Sequence, residues 1–414
     1  MSVVYSFALL LALVAAAPWW IWRMMADGRY REGLAERLGQ VPSRLQGKGV
    51  VWVHAVSVGE VMAASRFVEE LRARGVSIVV STTTRTGQQL ARERFGAANV
   101  FYFPLDFAFA VRAYLRSLKP RMLVLVESEF WPRMLAECYR CGIPVAVINA
   151  RVSDRSWPRY RALRLLWKRL LGRLSLVLAQ SSTDRERLIE LGAGNVVLGG
   201  NLKFDVRVAG VSALTAAIDA RRSPGMKIIV GGSTLEGEEQ MLLDAAPPEA
   251  LLVIAPRHPE RFDAVADLLT RSGRKVVRRS QWTAARAPLL PGMVFLLDSI
   301  GELASLYSVA DVAFVGGSLV PAGGHNPLEP AQFGVPVLMG PHYENFRSIV
   351  GTLRTHDAIG IVERPQLQGA IVQLLSDSSA ATAMGARARS VFEREAGATA
   401  RAVDAVMQLL ESAR

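Results

Sequence analysis

Between residues 50 and 340, short runs of four to six apolar, largely β-branched residues recur, separated by longer stretches whose apolar positions repeat at helical spacing. Short continuous apolar runs mark strands buried on both faces. Their alternation with amphipathic stretches predicts parallel sheets covered by helices. The first half offers strands at Val50–His54, Val76–Ser81, Val100–Phe103, Met122–Val126, Val145–Ile148 and Leu176–Ala179. The pattern then starts again, with Lys227–Val230, Leu251–Ile254, Lys275–Val277, Met293–Leu296, Val312–Val315 and Val335–Met339. Two doubly wound α/β domains in tandem are the economical reading, over 23–207 and 225–394. A linker at 208–224 separates them, and a last amphipathic helix lies in 395–414. Domains of this kind bind ligands beyond the carboxyl ends of their strands, and a cleft between two of them is a natural binding place.

Two segments break that rhythm. From Ser2 to Trp22 no residue is charged, and the run ends in Trp19, Trp20 and Trp22 before Arg23. That is about the length needed to cross a hydrocarbon core, with interfacial aromatics and cationic residues on the cytoplasmic side. A retained membrane anchor over residues 1–22 follows, spanning or lying in the bilayer. A cleaved signal peptide would carry Lys or Arg before the apolar run. The second segment, Trp157–Leu174, places Tyr160, Leu163, Leu166, Trp167, Leu170, Leu171 and Leu174 on one helical face, with Arg161, Arg164, Lys168 and Arg169 on the other. It is either a sheet-covering helix with a solvated face or a membrane-surface helix in which Arg161, Arg164, Trp167 and Lys168 meet anionic phospholipid.

Charge sharpens this picture. Residues 1–210 hold 30 Lys and Arg against 16 Asp and Glu, whereas 211–414 hold 19 against 21. A basic half beside a nearly neutral one points to a polyanionic partner, nucleic acid or an anionic membrane, and the first half carries no aromatic-basic RNA motif. Cys138 and Cys141 have no second Cys or His pair nearby to complete a zinc site.

Candidate chemistry lies after the strands. In Val51–Glu60 (VWVHAVSVGE) a strand ends at His54 and a helix opens with Ser57, Gly59 and Glu60. Ser57 and Glu60 are spaced as a capping box, the reading that spacing alone favours; the alternative is a general base, which requires the carboxylate to face the cleft. Glu127 and Glu129 follow another strand in ESEFWP. Either is placed to orient a sugar hydroxyl or to pair with an arginine of Asn149–Arg155 (NARVSDR). In the second half four turns have phosphate-binding character. Gly232, Ser233 and Thr234 form one, and Arg257 with His258 another. The third is Ile300, Gly301 and Glu302. The fourth joins Gly316, Gly317 and Ser318 to Asn326, Pro327, Leu328 and Glu329. Glycines let backbone N–H groups approach an anion, and Glu329 suits a ribose diol. No dinucleotide fingerprint, P-loop or metal-ligand cluster occurs, so neither cofactor nor catalytic metal is expected.

Taken in order, HAVSVGE, ESEFWP, NARVSDRS, GNLKFD (Gly200–Asp205), GSTLEGEE (Gly232–Glu239), APRHPERF (Ala255–Phe262), DSIGEL (Asp298–Leu303) and FVGGSLVPAGGHNPLEP (Phe314–Pro330) resemble the motif series of Kdo transferases across both halves. The resemblance implies a GT-B fold of two facing Rossmann-like domains, the first for the acceptor and the second for CMP-Kdo. It implies an inverting transfer of Kdo to a tetra-acylated lipid A precursor at the cytoplasmic face of the bacterial inner membrane. It further implies Glu60 as general base and the four second-half turns as the CMP site. Ser57, Gly59, Asn149, Arg151, Ser153 and Lys203 would then serve the acceptor and sugar. Arg133 and Asn201 stand where many relatives carry Asn and Ser. Rival readings are another GT-B enzyme, such as a UDP-sugar transferase or epimerase, and a membrane-tethered nucleic-acid-binding protein.

Overall fold

The computed structural model describes residues 32–45, 49–207, 210–282 and 288–412. The chain divides into two compact units, one formed by 1–206 with 396–414 and the other by 207–395. The first unit is built on seven parallel strands: β1 (Val51–His54), β2 (Ile78–Thr82), β3 (Val100–Tyr102), β4 (Met122–Val126), β5 (Val145–Ala150), β6 (Leu176–Ala179) and β7 (Val196–Leu198). Their order is β3-β2-β1-β4-β5-β6-β7. Both sheet faces are covered, which is why its strands read as unbroken apolar runs. Trp52, Leu123, Leu125, Val145 and Val147 enter one core, and Val51, Val53, Val124, Ala146 and Ile148 enter the other.

The final helix, Ala398–Ser412, closes the second of these cores with Ala402, Val403, Val406 and Leu410. Its start is fixed by Asp205, whose carboxylate accepts from the N–H groups of Gly397 (2.6 Å) and Thr399 (2.5 Å). One side chain thus fastens both ends of the first unit's discontinuous chain.

The second unit repeats the plan with β8 (Ile228–Thr234), β9 (Leu251–Pro256), β10 (Val276–Arg278), β11 (Val294–Leu296), β12 (Val312–Val315), β13 (Val337–Met339) and β14 (Gly360–Ile361). All are parallel, in the order β10-β11-β9-β8-β12-β13-β14. The stretch read as a linker contains a helix, Ala213–Arg221. Its Leu214 and Ile218 are buried in this unit's core, so it belongs to the domain.

Trp157–Leu174 is not one continuous helix. It divides at Leu163 into Trp157–Ala162 and Arg164–Leu171. On either side of the break Tyr160 and Trp167 both meet Phe130, with ring centroids at 6.3 and 6.0 Å. Arg161 pairs with Glu190 at 3.0 Å, while Arg164 and Lys168 are exposed and Trp167 is half-buried. Among the described residues no helix is long and apolar enough to cross a membrane. The anchor expected at 1–22, with Trp19, Trp20 and Trp22, lies outside the described residues.

Candidate active site

The strand order turns about between β1 and β4 in the first unit and between β8 and β12 in the second, where β11 is in addition inserted between β9 and β10. Loops diverge at such a point and leave a crevice at the strands' carboxyl ends. The candidate residues gather at these two places.

In the first unit the turn after β1 opens the helix Val58–Ala73, with Glu60 in its first turn. Glu60 is only 7% exposed. Its carboxylate accepts from the Val56 N–H at 2.7 Å and from the Ser57 hydroxyl at 3.1 Å. The spacing of a capping box is there but its bonds are not: the Ser57 hydroxyl donates to Glu60 and makes no cap bond to the helix backbone, and the backbone donor to Glu60 is Val56 rather than Ser57. Gly59 is exposed beside it. Burial, with added repulsion from Glu127 and Glu129, pushes the Glu60 carboxyl up to about 8; the Val56 N–H offsets part of that rise.

Glu127 follows β4 with φ 60°, a left-handed conformation that costs a residue with a Cβ on the order of 1–3 kcal/mol. Asn149, at the end of β5, has φ 55°. Two strained residues at neighbouring strand ends mark a place where position outweighs local comfort. Asn149 accepts from the Leu202 N–H at 3.0 Å through Oδ1, and Lys203 brings its Nζ to 3.8 Å from Glu127 Oε1. Lys203, rather than an arginine of Asn149–Arg155, is the cation beside Glu127. Burial and the Glu127 charge also raise the Glu129 carboxyl above its ordinary value. The structure therefore brings together Ser57, Glu60, Glu127, Glu129, Asn149 and Lys203. Arg151 and Ser153 lie just outside this group. The Arg151 backbone exchanges hydrogen bonds with Ser128, and the Ser153 hydroxyl lies 2.8 Å from that of Ser156.

In the second unit Ser233, Arg257, Asn326 and Glu329 line one cavity of about 160 Å³, together with Tyr307, His325 and Phe346. Ser233 has φ 55°, the third left-handed residue at a strand end. Gly232 and Gly316 make the close packing possible: a Cβ on Gly232 would lie 1.9 Å from the Tyr307 hydroxyl, and one on Gly316 2.5 Å from the Ser233 carbonyl. Burial raises the Glu329 carboxyl; the Asn326 amide, 3.5 Å away, and Arg257 draw it partly back. Burial and the nearby Arg257 and His258 lower His325 to about 4, so the imidazole is neutral at physiological pH.

Other expected donors are engaged elsewhere. The N–H groups of Gly317 and Ser318 donate to the buried Glu238 carboxylate at 2.7 and 3.0 Å and are not free for a phosphate. The Thr234 hydroxyl donates to Glu239. Glu302 is held by Arg279 and Ser299, and Ile300 beside Gly301 is 80% exposed, so this turn does not line the cavity. His258 also stands outside it, 3.8 Å from Glu260. Pro327 and Leu328 lead into the short helix that carries Glu329, with the Leu328 N–H bound by Asn326. Tyr307 and Phe346 carry no pattern that singles them out in sequence, whereas His325 stands in the Phe314–Pro330 motif directly before Asn326; folding assembles all three.

Two parallel seven-stranded sheets in two doubly wound units, each with polar side chains at its switch point, make up the GT-B fold. The solved structure of Anabaena Alr3699/HepE in complex with UDP and glucose has this fold; it covers 88% of this chain and 100% of its own with a TM-score of 0.56 at 13% identity. The family described as 3-deoxy-D-manno-octulosonic-acid transferase (kdotransferase) matches residues 32–206. The 3-deoxy-D-manno-octulosonic acid transferase of Haemophilus influenzae is 34% identical over 92% of both chains. That of Bordetella pertussis is 36% identical over 96% of this chain and 97% of its own. The chain belongs to the Kdo transferase family.

Proposed function

We propose that this enzyme transfers Kdo from CMP-Kdo to a tetra-acylated lipid A precursor at the cytoplasmic face of the inner membrane, with inversion and with Glu60 as general base. Glu60 takes the proton of the acceptor hydroxyl as that oxygen bonds to the anomeric carbon. The bond to the phosphate oxygen breaks, and CMP departs with its electron pair. The observation that carries this reading is Glu60 itself, a buried carboxylate at the switch point with its proton affinity raised to about 8. A base that holds a proton this firmly is well matched to a hydroxyl near neutral pH. The donor's phosphate is assigned to Arg257 and its ribose to Glu329 and Asn326. Their cavity is smaller than a whole-ligand pocket of roughly 300–1,000 Å³ and suits one part of the nucleotide. The basic charge of residues 1–210 answers an acceptor and a donor that are both anionic.

The reading is tested by incubating the protein with CMP-Kdo and lipid A precursor and weighing the product by mass spectrometry; no mass gain of one or more Kdo residues would end it. Calorimetric titration with CMP and with UDP is the companion test, and tighter binding of UDP would move the enzyme to another sugar donor.

Two further results are expected. Arg257→Ala should weaken CMP binding by about 10- to 100-fold, the worth of a hydrogen bond to a charged group. His258→Ala should change it little, and equal losses would contradict the placement of these side chains.

The pH dependence has a defined sign. A base must be ionised to act, so kcat/KM should rise with pH through about 8. Stability runs the other way. The folded protein holds the Glu60 proton more tightly than the unfolded chain, so this contribution is full below the ordinary carboxylate range and is lost as pH rises through about 8. Glu127→Gln removes a repelling charge and should move the activity limb to lower pH; a rate profile for both proteins checks it.

A further inference from the structure

The first unit holds a second, larger cavity that the transfer chemistry does not use. It measures about 610 Å³, and its walls are Phe130, Trp131, Tyr160, Leu166, Trp167 and Leu170. The aromatic rings form a continuous lining, with Tyr160 and Trp167 centroids 5.1 Å apart and both against Phe130. One of its few charged members is Glu129, whose charge is felt by Glu60. The outer wall is unusual for a protein surface. Leu163 is 51% and Leu165 77% exposed, next to exposed Arg164, Lys168 and Arg169. An apolar cavity whose lining helix turns an exposed cationic face to solvent matches an amphiphile with an anionic head.

We propose that this cavity seats one acyl chain of the acceptor lipid and so fixes the sugar head group beside Glu60. The proposal rests on the acceptor reading above and adds the means by which the lipid is selected. Size agrees: a methylene fills about the space of a water molecule, roughly 30 Å³, so the cavity holds a chain on the order of ten to twenty carbons. Position agrees as well, because Glu129 belongs both to the cavity wall and to the carboxylate group at the switch point. Arg164, Lys168 and Arg169, exposed on the other face of the lining helix, make this region cationic, which favours an anionic head group. A chain of an ordinary phospholipid has the same tail chemistry, but the approach to Glu60 gives it nothing to react.

The test compares full-length protein with Leu166→Trp and Ala136→Trp, which fill the cavity from different walls; Leu166 is 42% exposed and tolerates a larger side chain. The readout is the ratio of kcat/KM for the tetra-acylated acceptor to that for the same bisphosphorylated disaccharide without acyl chains. The wild-type ratio should exceed about 10, since each methylene removed from water adds about fourfold in affinity. Both variants should bring the ratio down by about 10-fold or more. A wild-type ratio near one, or a ratio untouched by either substitution, overturns the acyl-chain proposal and leaves the functional reading standing. Variants that stop pelleting with plain phosphatidylglycerol vesicles yet keep the ratio would assign the cavity to bulk lipid and overturn it too. No transfer to either acceptor by the wild type would instead overturn the acceptor reading, and the proposal with it.

Discussion

Glu60→Gln is expected to lower kcat by about 10²–10⁴-fold, the range that a positioned general base supplies, while CMP affinity stays at its wild-type value. The substitution is close to isosteric. The amide oxygen still accepts from the Val56 N–H, and the new NH₂ group meets the Ser57 hydroxyl, which can accept as well as donate. Folding is therefore retained, and the buried site no longer has to hold a charge at high pH. The variant should lose the fall in stability that the wild type shows towards pH 8. Rapid-quench turnover measured beside calorimetric CMP titration separates the two effects. A variant with unimpaired turnover would leave Glu60 as a helix-start residue alone and would shift attention to Glu127 and Glu129.

How far this could be read from the chain differs between sheet and site. Strands β4, β6 and β12 lie where their apolar runs predict them, at Met122–Val126, Leu176–Ala179 and Val312–Val315, because a parallel strand buried on both faces has to be apolar at every position. The two strands the pattern passes over, Val196–Leu198 and Gly360–Ile361, sit at sheet edges, are two or three residues long and are largely half-buried or exposed. They lack the run that marks the others. At the sites, Glu60, Glu127, Arg257 and Glu329 were visible as polar residues after strands. Their strain and burial were not: nothing in the sequence says that Glu127, Asn149 and Ser233 adopt left-handed backbone. The break at Leu163 was equally hidden, since a helical wheel continues through it. Tyr160 and Trp167 pack on Phe130 from either side of it.

Glu238 is the residue the sequence conceals most completely. In GSTLEGEE it reads as one more acid at a helix start, yet its carboxylate is fully buried and accepts four backbone N–H groups: Leu235 at 2.9 Å, Gly317 at 2.7 Å, Ser318 at 3.0 Å and Leu319 at 2.9 Å. It fixes the turn after β12, and that turn in turn holds the next: the Gly324 N–H donates to the Gly317 carbonyl and the His325 N–H to that of Gly316. Glu238→Ala leaves these donors without a partner. Each buried orphan costs about 1–3 kcal/mol, and with water regaining some of them the net loss is on the order of 3–5 kcal/mol. For a unit of this size that lowers Tm by roughly 6–20 °C, given about 2–4 °C per kcal/mol. Glu238→Gln should fall between, because its single carbonyl oxygen keeps one pair of donors while its NH₂ opposes the other. Since His325 lines the donor cavity, the Gln variant should also bind CMP less tightly at temperatures well below its own melting point. Calorimetric melting of the full chain, followed by CMP titration of the Gln variant, checks both steps. Unchanged melting of the Ala variant would mean that the turn after β12 is held by its own backbone, and that Glu238 merely follows it.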